Sequence, residues 1–283
     1  GDQLMGVAGT GGNFCLHGDS VFVRDETRCL KINIKTGELE GEFKPPPGKD
    51  GKPSRWGYIS CLDGILYGSV ADPEHVVTFR YVERGGDMKR LLTESRTLFA
   101  LNPDNGELLW KYNATNSIRH NSIAVAGGKV CLIDRPQALF DRVKKPENKF
   151  QSGGTLVVLD AKTGAPMWKN DEDIYGTTVS VSEKHKALVM SYQPTSFRLD
   201  SEIGGRISVF SLENGKRLWD AKADYRSRPM INDKVIYAQG AAWNLLSGET
   251  IPFEFSRSYG CGVLAGASSM MLFRSSTLGY FHF

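Results

Sequence analysis

Five short links along the chain combine residue types that could bind an anion. Four of the five contain arginine, whose planar guanidinium pairs with carboxylate, sulfate or phosphate. The fifth link, Tyr175-Gly176-Thr177, offers hydroxyl groups instead. If the links converge on one face, they predict a small anionic ligand there. The candidate ligand-binding residues are Arg55, Trp56, Arg119, His120, Asn121, Arg226, Arg228, Arg257 and Tyr259.

The alternative for these arginines is purely structural. Each could donate to loop carbonyls or pair with a carboxylate of a neighbouring repeat. Few acidic residues flank the links in sequence, Asp224 being the nearest, and this favours an external anion over internal pairing. The two interpretations differ in whether the guanidinium groups share one face.

His120 is the histidine best placed for acid–base or metal chemistry, because Arg119 and Asn121 flank it. The other histidines are not spaced like the ligands of a metal site. The five cysteines stand far apart and contain no C-x-x-C pair, so buried reduced thiols are favoured over a disulfide framework. The sequence therefore predicts no metal site and designates no catalytic residue.

Composition limits the classes of partner. The chain has 40% hydrophobic and 24% charged residues, which is typical of a globular protein. Its net charge is only +3, and the basic residues form no run of the kind that binds nucleic acid or a membrane surface. No apolar stretch reaches the length of a membrane-spanning helix. We expect no nucleic-acid partner and no membrane insertion, whereas the oligomeric state stays open.

The elements that must position these links are marked by an internal repeat. Five segments share an apolar strand, a polar cap residue, three intervening residues and a glycine. The cap accepts a backbone N–H two residues on, and the glycine supplies the positive φ that returns the chain as an antiparallel hairpin. The cap and glycine pairs are Asn33 and Gly37, Asn102 and Gly106, Asp160 and Gly164, Ser211 and Gly215, and Asn244 and Gly248.

Three of the five repeats also carry a tryptophan at the same offset. Trp110, Trp168 and Trp219 each stand four residues after their glycine. A large ring recurring at one offset predicts a structural contact with the neighbouring repeat. The first and fifth repeats have Gly41 and Pro252 there, so we expect weaker or different contacts between repeats at these two places.

Between the turns lie further strand candidates, so each unit offers about four strands. This pattern predicts an all-β fold, a β-propeller of four-stranded antiparallel blades within one domain spanning residues 1–283. The links then lie before the innermost strands, around the channel mouth. The predicted blades span residues 1–43, 56–113, 118–170, 175–221 and 225–256, followed by a partial sixth over 260–283.

The segment from Ala100 to Trp110 resembles the tryptophan-docking repeat of pyrroloquinoline-quinone (PQQ) dehydrogenases and their non-enzymatic relatives. The resemblance to this PQQ-like, quinoprotein-type family covers nearly the whole chain. It implies rings of seven or eight blades, so that the chain would be a domain excised from a longer protein. Otherwise N-terminal strands would complete the last blade. It also implies a periplasmic or other extracytoplasmic location.

The resemblance is specific for fold but not for chemistry. Enzymes of the family commonly carry adjacent cysteines beside the cofactor, and hold calcium near a catalytic aspartate. No two cysteines are adjacent here, and no such calcium set can be aligned onto the chain. We therefore expect a non-catalytic propeller without cofactor, which binds a ligand or a protein partner within a larger bacterial protein. The alternative is an enzyme that uses the channel mouth, such as a dehydrogenase with PQQ and calcium.

Overall fold

The protein is described from a computed structural model, in which the described residues form strands and no helix. No described segment is a helix long and apolar enough to cross a membrane. Arg226, Arg257, Tyr259 and Cys261 lie outside the described residues. The structure describes residues 14–25, 27–48, 51, 53–72, 94–136, 153–192, 205–225, 227–253, 265–266, 269–274 and 278–282.

The strands form consecutive antiparallel sheets, each strand pairing with the next along the chain. The first sheet contains β1 (Phe14–His17), β2 (Ser20–Asp25), β3 (Arg28–Asn33) and β4 (Leu39–Phe43). The second contains seven strands: β5 (Trp56–Leu62), β6 (Ile65–Ala71), β7 (Glu94–Leu101), β8 (Leu108–Ala126), β9 (Lys129–Arg135), β10 (Gly154–Asp160) and β11 (Pro166–Ile174).

The long strand β8 explains why this sheet has seven strands. Its first part pairs with β7 and its second part with β9, so it closes one four-stranded unit and opens the next. The third sheet contains β12 (Thr178–Ser182), β13 (Ala187–Ser191), β14 (Arg206–Ser211) and β15 (Arg217–Lys222). The fourth contains β16 (Met230–Asn232), β17 (Val235–Ala238), β18 (Ala241–Asn244) and β19 (Thr250–Ile251).

The last described sheet has three strands, β20 (Ala265–Gly266), β21 (Met270–Arg274) and β22 (Leu278–His282). The described strands therefore make five four-stranded antiparallel units and a partial sixth. This is the architecture of β-propeller blades, and the predicted fold class is confirmed.

The predicted turns are confirmed by their hydrogen bonds. In the first, the Asn33 side chain accepts the backbone N–H of Lys35 at 2.9 Å, and the N–H of Gly37 donates to the Asn33 carbonyl. The same side-chain acceptance recurs at the other four caps. All five turn glycines have φ between 70° and 75°, which an L-residue adopts only with strain.

The three repeated tryptophans lie between successive blades. The indole Nε1–H of each donates to a main-chain carbonyl of the following repeat, and each ring covers the turn glycine of that repeat. Any Cβ atom on these glycines would lie 2.6 Å from the ring, so the contact requires glycine. The donor–acceptor pairs are Trp110 to Ala161 at 3.0 Å, Trp168 to Leu212 at 3.0 Å and Trp219 to Leu245 at 2.9 Å.

The first and fifth repeats make different contacts, as the sequence predicts. In the first, the Phe43 ring lies over Gly106, where a Cβ atom would be 2.5 Å from it. Phe43 stands two residues beyond the expected position and occupies the place that a tryptophan takes elsewhere. In the fifth, Pro252 is exposed, and Phe253 packs edge-on against Tyr237 of its own sheet with ring centroids 5.1 Å apart.

Candidate functional site

The innermost strands of the blades position the residues of the predicted ligand-binding site. The first strands of successive blades contact one another, namely β1, β5, the second part of β8, β12, β16 and β20. The links with Arg55 and Arg228 come just before β5 and β16, and the link with His120 lies within β8. Because the strand order is the same in every blade, these links occupy equivalent ends of the inner strands. The convergence of all the candidate arginines stays a prediction, since part of the set lies outside the described residues.

Arg119 pairs with a carboxylate on the neighbouring strand β7. Its Nε lies 3.6 Å from Oε1 of Glu94, and the two side chains are only 2% and 0% exposed. The pair follows from the β7–β8 register, in which Glu94 lies directly opposite Arg119. Such a buried pair must stay together, because removing one partner would leave an uncompensated charge. The carboxylate that pairs with Arg119 thus comes from the neighbouring strand and not from the residues that flank Arg119 in sequence.

His120 belongs to a buried chain of hydrogen bonds across the strands of the second blade. Its Nε2 lies 2.8 Å from Oγ of Ser95, and that oxygen lies 2.7 Å from Oγ of Ser69. Ser69 in turn accepts the backbone N–H of Tyr58 at 2.7 Å. A Cβ atom on Gly57 would lie within 2.8 Å of all three side chains, so only glycine fits over this network.

A hydroxyl beside an imidazole is also the first part of an activated nucleophile. Here, however, Ser95 is fully buried and His120 is 3% exposed, so a substrate could not reach the pair without rearrangement of the blade. The arrangement therefore serves to satisfy polar groups in the core, as buried hydroxyl and imidazole groups require.

Two arginines that sequence reasoning missed join neighbouring blades at the same end. Arg135, at the end of β9, donates from Nη1 to the carbonyls of Tyr175 at 3.0 Å and Gly176 at 3.1 Å. Arg24, near the end of β2, donates from Nη1 to the carbonyl of Trp56 at 3.1 Å. Both stand where the second strand of a blade ends.

Arg24 lies close enough to the candidate residue Arg55 for their charges to interact. Burial, and then the charge of Arg55, lower the pKa of Arg24 below its usual value. Burial likewise lowers the pKa of Arg228, whose Nε makes no hydrogen bond with the described residues. Asn121 is half-buried beside His120. An anion site that includes Arg55, Arg228 and Asn121 at the channel mouth therefore stays a prediction.

Trp56 is a core residue rather than a surface platform for a ligand. Its side chain is fully buried, and its Nε1–H donates to the Tyr58 carbonyl at 2.9 Å. Its ring packs edge-on against Phe99, with centroids 5.1 Å apart. The residue therefore contributes to the interface between the first two blades.

The possible metal ligands and the thiols of the described residues bear on the alternative of a PQQ and calcium centre. No three histidine, cysteine or acidic side chains among them are arranged to hold a metal ion. Cys15, Cys29 and Cys61 are free thiols within the core between the first two blades. Burial is the main cause that raises the pKa of Cys61 to about 11 and that of Cys29 to about 12. These thiols therefore stay protonated and unreactive at neutral pH.

A match to a protein-family model shows to which family the chain belongs. Residues 82–256, more than half of the chain, match the PQQ-like repeat family described as outer membrane protein assembly factor BamB. The chain belongs to this family. The resemblance that the repeat motif indicates is thereby confirmed. No curated protein sequence matches the chain.

Solved structures show the fold of this BamB-like chain. BamB from Moraxella catarrhalis is 14% identical, with 93% of this chain and 69% of that chain covered and a TM-score of 0.55. A chain of the mitotic checkpoint complex is 9% identical, with 94% and 72% covered and a TM-score of 0.59. The TM-scores support the propeller fold, and a likeness at such low identity carries no information on activity.

A quinohemoprotein alcohol dehydrogenase, ADHIIG from Pseudomonas putida HK5, is also similar. It is 12% identical, with 88% of this chain and 42% of that chain covered and a TM-score of 0.52. The BamB-like chain thus spans less than half the length of this enzyme. The likeness is one of fold.

Proposed function

We propose that this BamB-like propeller is a non-catalytic protein-interaction module within a larger extracytoplasmic bacterial protein. The observation that carries the proposal is that Arg119 and His120, the candidate residues best suited to chemistry, make their contacts inside the core. Arg119 is paired with Glu94, and His120 is hydrogen-bonded to Ser95, all of them buried. A general base must reach the proton it removes, and His120 is shielded from any substrate.

The family supports the same proposal. Its description as an outer membrane protein assembly factor indicates work on other proteins, outside the cytoplasm of a bacterium. Propellers suit such work because a rigid stack of blades presents large fixed surfaces without any conformational change. The location is part of the proposal and rests on the family alone.

The competing function is a PQQ-dependent oxidoreductase, which the likeness to the alcohol dehydrogenase suggests. The purified chain should be titrated by calorimetry with PQQ in the presence of calcium chloride, then assayed with alcohols and sugars and an electron-accepting dye. We expect no binding and no turnover. Affinity in the micromolar range, about −8 kcal/mol, or turnover above background would overturn the non-catalytic assignment.

The interaction role needs its own measurement. The tagged full-length gene product should be crosslinked in its native bacterium and its adducts identified by mass spectrometry, with the tag alone as control. We expect one or a few defined protein adducts that the control lacks. A product that yields no specific adduct would contradict a role as an interaction module.

A further inference from the structure

The first two strands of a blade form a hairpin, and its fifth residue pair, counted from the turn, lies at the end where the links between blades enter. In the fourth blade the count starts at Ser182 and Ala187, and the fifth pair is Thr178 and Ser191. Their hydroxyl oxygens lie 2.5 Å apart and hydrogen-bond each other. This pair thus satisfies its own polar groups.

The same position contains a serine in the second and third blades. In the second blade the Ser69 hydroxyl accepts the backbone N–H of Tyr58, the residue opposite it, at 2.7 Å. In the third blade the Ser122 hydroxyl lies 2.7 Å from the carbonyl oxygen of Arg119 and 3.5 Å from that of Ile133. In these three blades the hydroxyl of the fifth pair is therefore hydrogen-bonded within the protein.

The fifth blade departs from this pattern. The β16–β17 register places Met230 opposite Tyr237 as the third pair from the turn. Two residues further along, Arg228 lies opposite Gln239 as the fifth pair. The backbone N–H of Gln239 donates to the Ser227 hydroxyl at 2.8 Å, which holds the two chain segments together at this end. A guanidinium and an amide thus replace the pair that contains a serine in the three preceding blades.

Each member of this pair has a buried polar atom without a partner. Nε of Arg228 and Oε1 of Gln239 make no hydrogen bond with the part of the chain that the structure describes. Gln239 is only 7% exposed, whereas Arg228 is half-buried. Because buried polar groups in folded proteins are nearly always hydrogen-bonded, the two atoms point to a partner other than the described residues.

The charge of Arg228 indicates the sign of that partner. Burial lowers the pKa of Arg228, and no carboxylate of the described segments acts against this effect. Arg206, by contrast, is paired with both Asp173 and Asp220. A partly buried cation without a carboxylate nearby attracts an anion, and a water molecule would hydrate this charge without neutralising it.

The pair faces the sixth blade. Residues two apart on a strand share a face, so Arg228 lies on the same face as Met230. Met230 lies against Gly266 of β20, where an added Cβ atom would clash with its sulfur. Arg228 and Gln239 therefore lie on the side of the fifth blade that meets the sixth, at the end of the inner strands where the links enter.

We propose that Arg228 and Gln239 bind a small carboxylate that also carries a hydrogen-bond donor, of the chemical class of the 2-hydroxy acids. The carboxylate accepts from the Arg228 guanidinium, whose N–H donors match the two oxygens. The hydroxyl on the neighbouring carbon donates to Oε1 of Gln239. This site narrows the predicted anion site to one residue pair, and it does not depend on the proposed interaction with proteins.

Calorimetric titration of the purified chain with lactate tests the site, in a buffer that contains no other carboxylate and no phosphate. We expect saturable binding with a dissociation constant of about 1 mM or tighter. Propionate lacks only the hydroxyl, and sulfate offers acceptors alone. Both should bind at least about threefold more weakly than lactate, because the hydrogen bond to Gln239 is lost.

Three variants assign the binding to the pair. Arg228→Gln should weaken lactate binding at least about tenfold, since a hydrogen bond to a charged group is lost. Gln239→Met keeps the length of the side chain but removes the acceptor, so lactate and propionate should bind it equally. Arg96→Gln is the matched control, because Arg96 is an exposed arginine near the start of β7 that pairs with Asp72. It should bind lactate like the wild type.

Thermal melts give a second readout. Lactate should raise the melting temperature of the wild type and of Arg96→Gln but not that of Arg228→Gln. Without lactate, Arg228→Gln should melt no lower than the wild type, and a clear decrease would show a structural role instead.

The titrations can overturn the proposal in three ways. The first is that the wild type binds lactate no more tightly than about 1 mM. The second is that Arg228→Gln binds lactate like the wild type or no more weakly than Arg96→Gln. The third is that Gln239→Met keeps the preference for lactate over propionate.

Discussion

Replacing Gly215 by alanine should cost more stability than the same change at Gly64, although both glycines have φ of +72°. An alanine in this conformation costs about 1–2 kcal/mol by itself. At Gly64 that is the whole cost, because no described atom lies within 4 Å of the new Cβ atom. At Gly215 the Cβ atom would lie 2.6 Å from the Trp168 ring, which must move.

The extra cost follows from what the moving ring loses. Displacing an overpacked side chain costs about 1–3 kcal/mol. The hydrogen bond from Trp168 to the Leu212 carbonyl, 3.0 Å long, contributes about 0.5–1.5 kcal/mol more. Gly215→Ala should therefore destabilise by about 2–4 kcal/mol beyond Gly64→Ala. In a Trp168→Ala background the clash is absent, and Gly215→Ala should cost only about 1–2 kcal/mol.

Urea unfolding followed by circular dichroism measures these differences as shifts of the midpoint at constant slope. The set consists of the wild type, Gly64→Ala, Gly215→Ala, Trp168→Ala and the Trp168/Gly215 double variant. Trp168→Ala alone should lose about 3 kcal/mol, the lower end of the range for a large aromatic, because the ring is only partly buried against the core. Equal costs for Gly215→Ala and Gly64→Ala would refute the reasoning, and so would a cost at Gly215 that is the same with and without the ring.

Two further predictions concern other contacts between blades. Hydrogen bonds from Lys184 and then His185 lower the pKa of Asp233 from 3.8 to about 2, so its stabilising effect is present above pH 3.8 and is lost as the pH falls towards 2. The difference in melting temperature between wild type and Asp233→Asn should therefore close between about pH 4 and pH 2, and a difference that persists at pH 2 would contradict this. Arg135→Met should destabilise by about 1–3 kcal/mol in urea unfolding, because the buried carbonyls of Tyr175 and Gly176 lose their donor; an unchanged midpoint would show that this bridge between blades is dispensable.

The turns are the part of the fold that is predicted most directly from the sequence. A cap such as Asn33 and its glycine are only four residues apart, so the hydrogen bonds and the positive φ that make the hairpin are local and can be predicted directly. The repetition of this turn then determined the strand order and the propeller fold. The repeated tryptophan offset indicated the family.

The candidate site was less predictable because its partners are distant in sequence. Glu94 and Arg119 are 25 residues apart, and two register irregularities in the β7–β8 pairing separate the predicted turn from the place where they lie opposite each other. The link residues could be named from the sequence, whereas their internal pairing could not. For Arg226, Arg257 and Tyr259 the anion site stays a prediction.

By itself, then, the sequence determined the turns, the order of the strands and the membership of the PQQ-like family. Only the tertiary structure decided which residues meet between blades. It placed Phe43 over Gly106 although the sequence offset points to Gly41, it buried His120 in a network of serines, and it left Gly37 uncovered among the described residues. The physical reason is that a turn is built from neighbouring residues, whereas a contact between blades depends on the packing of whole sheets.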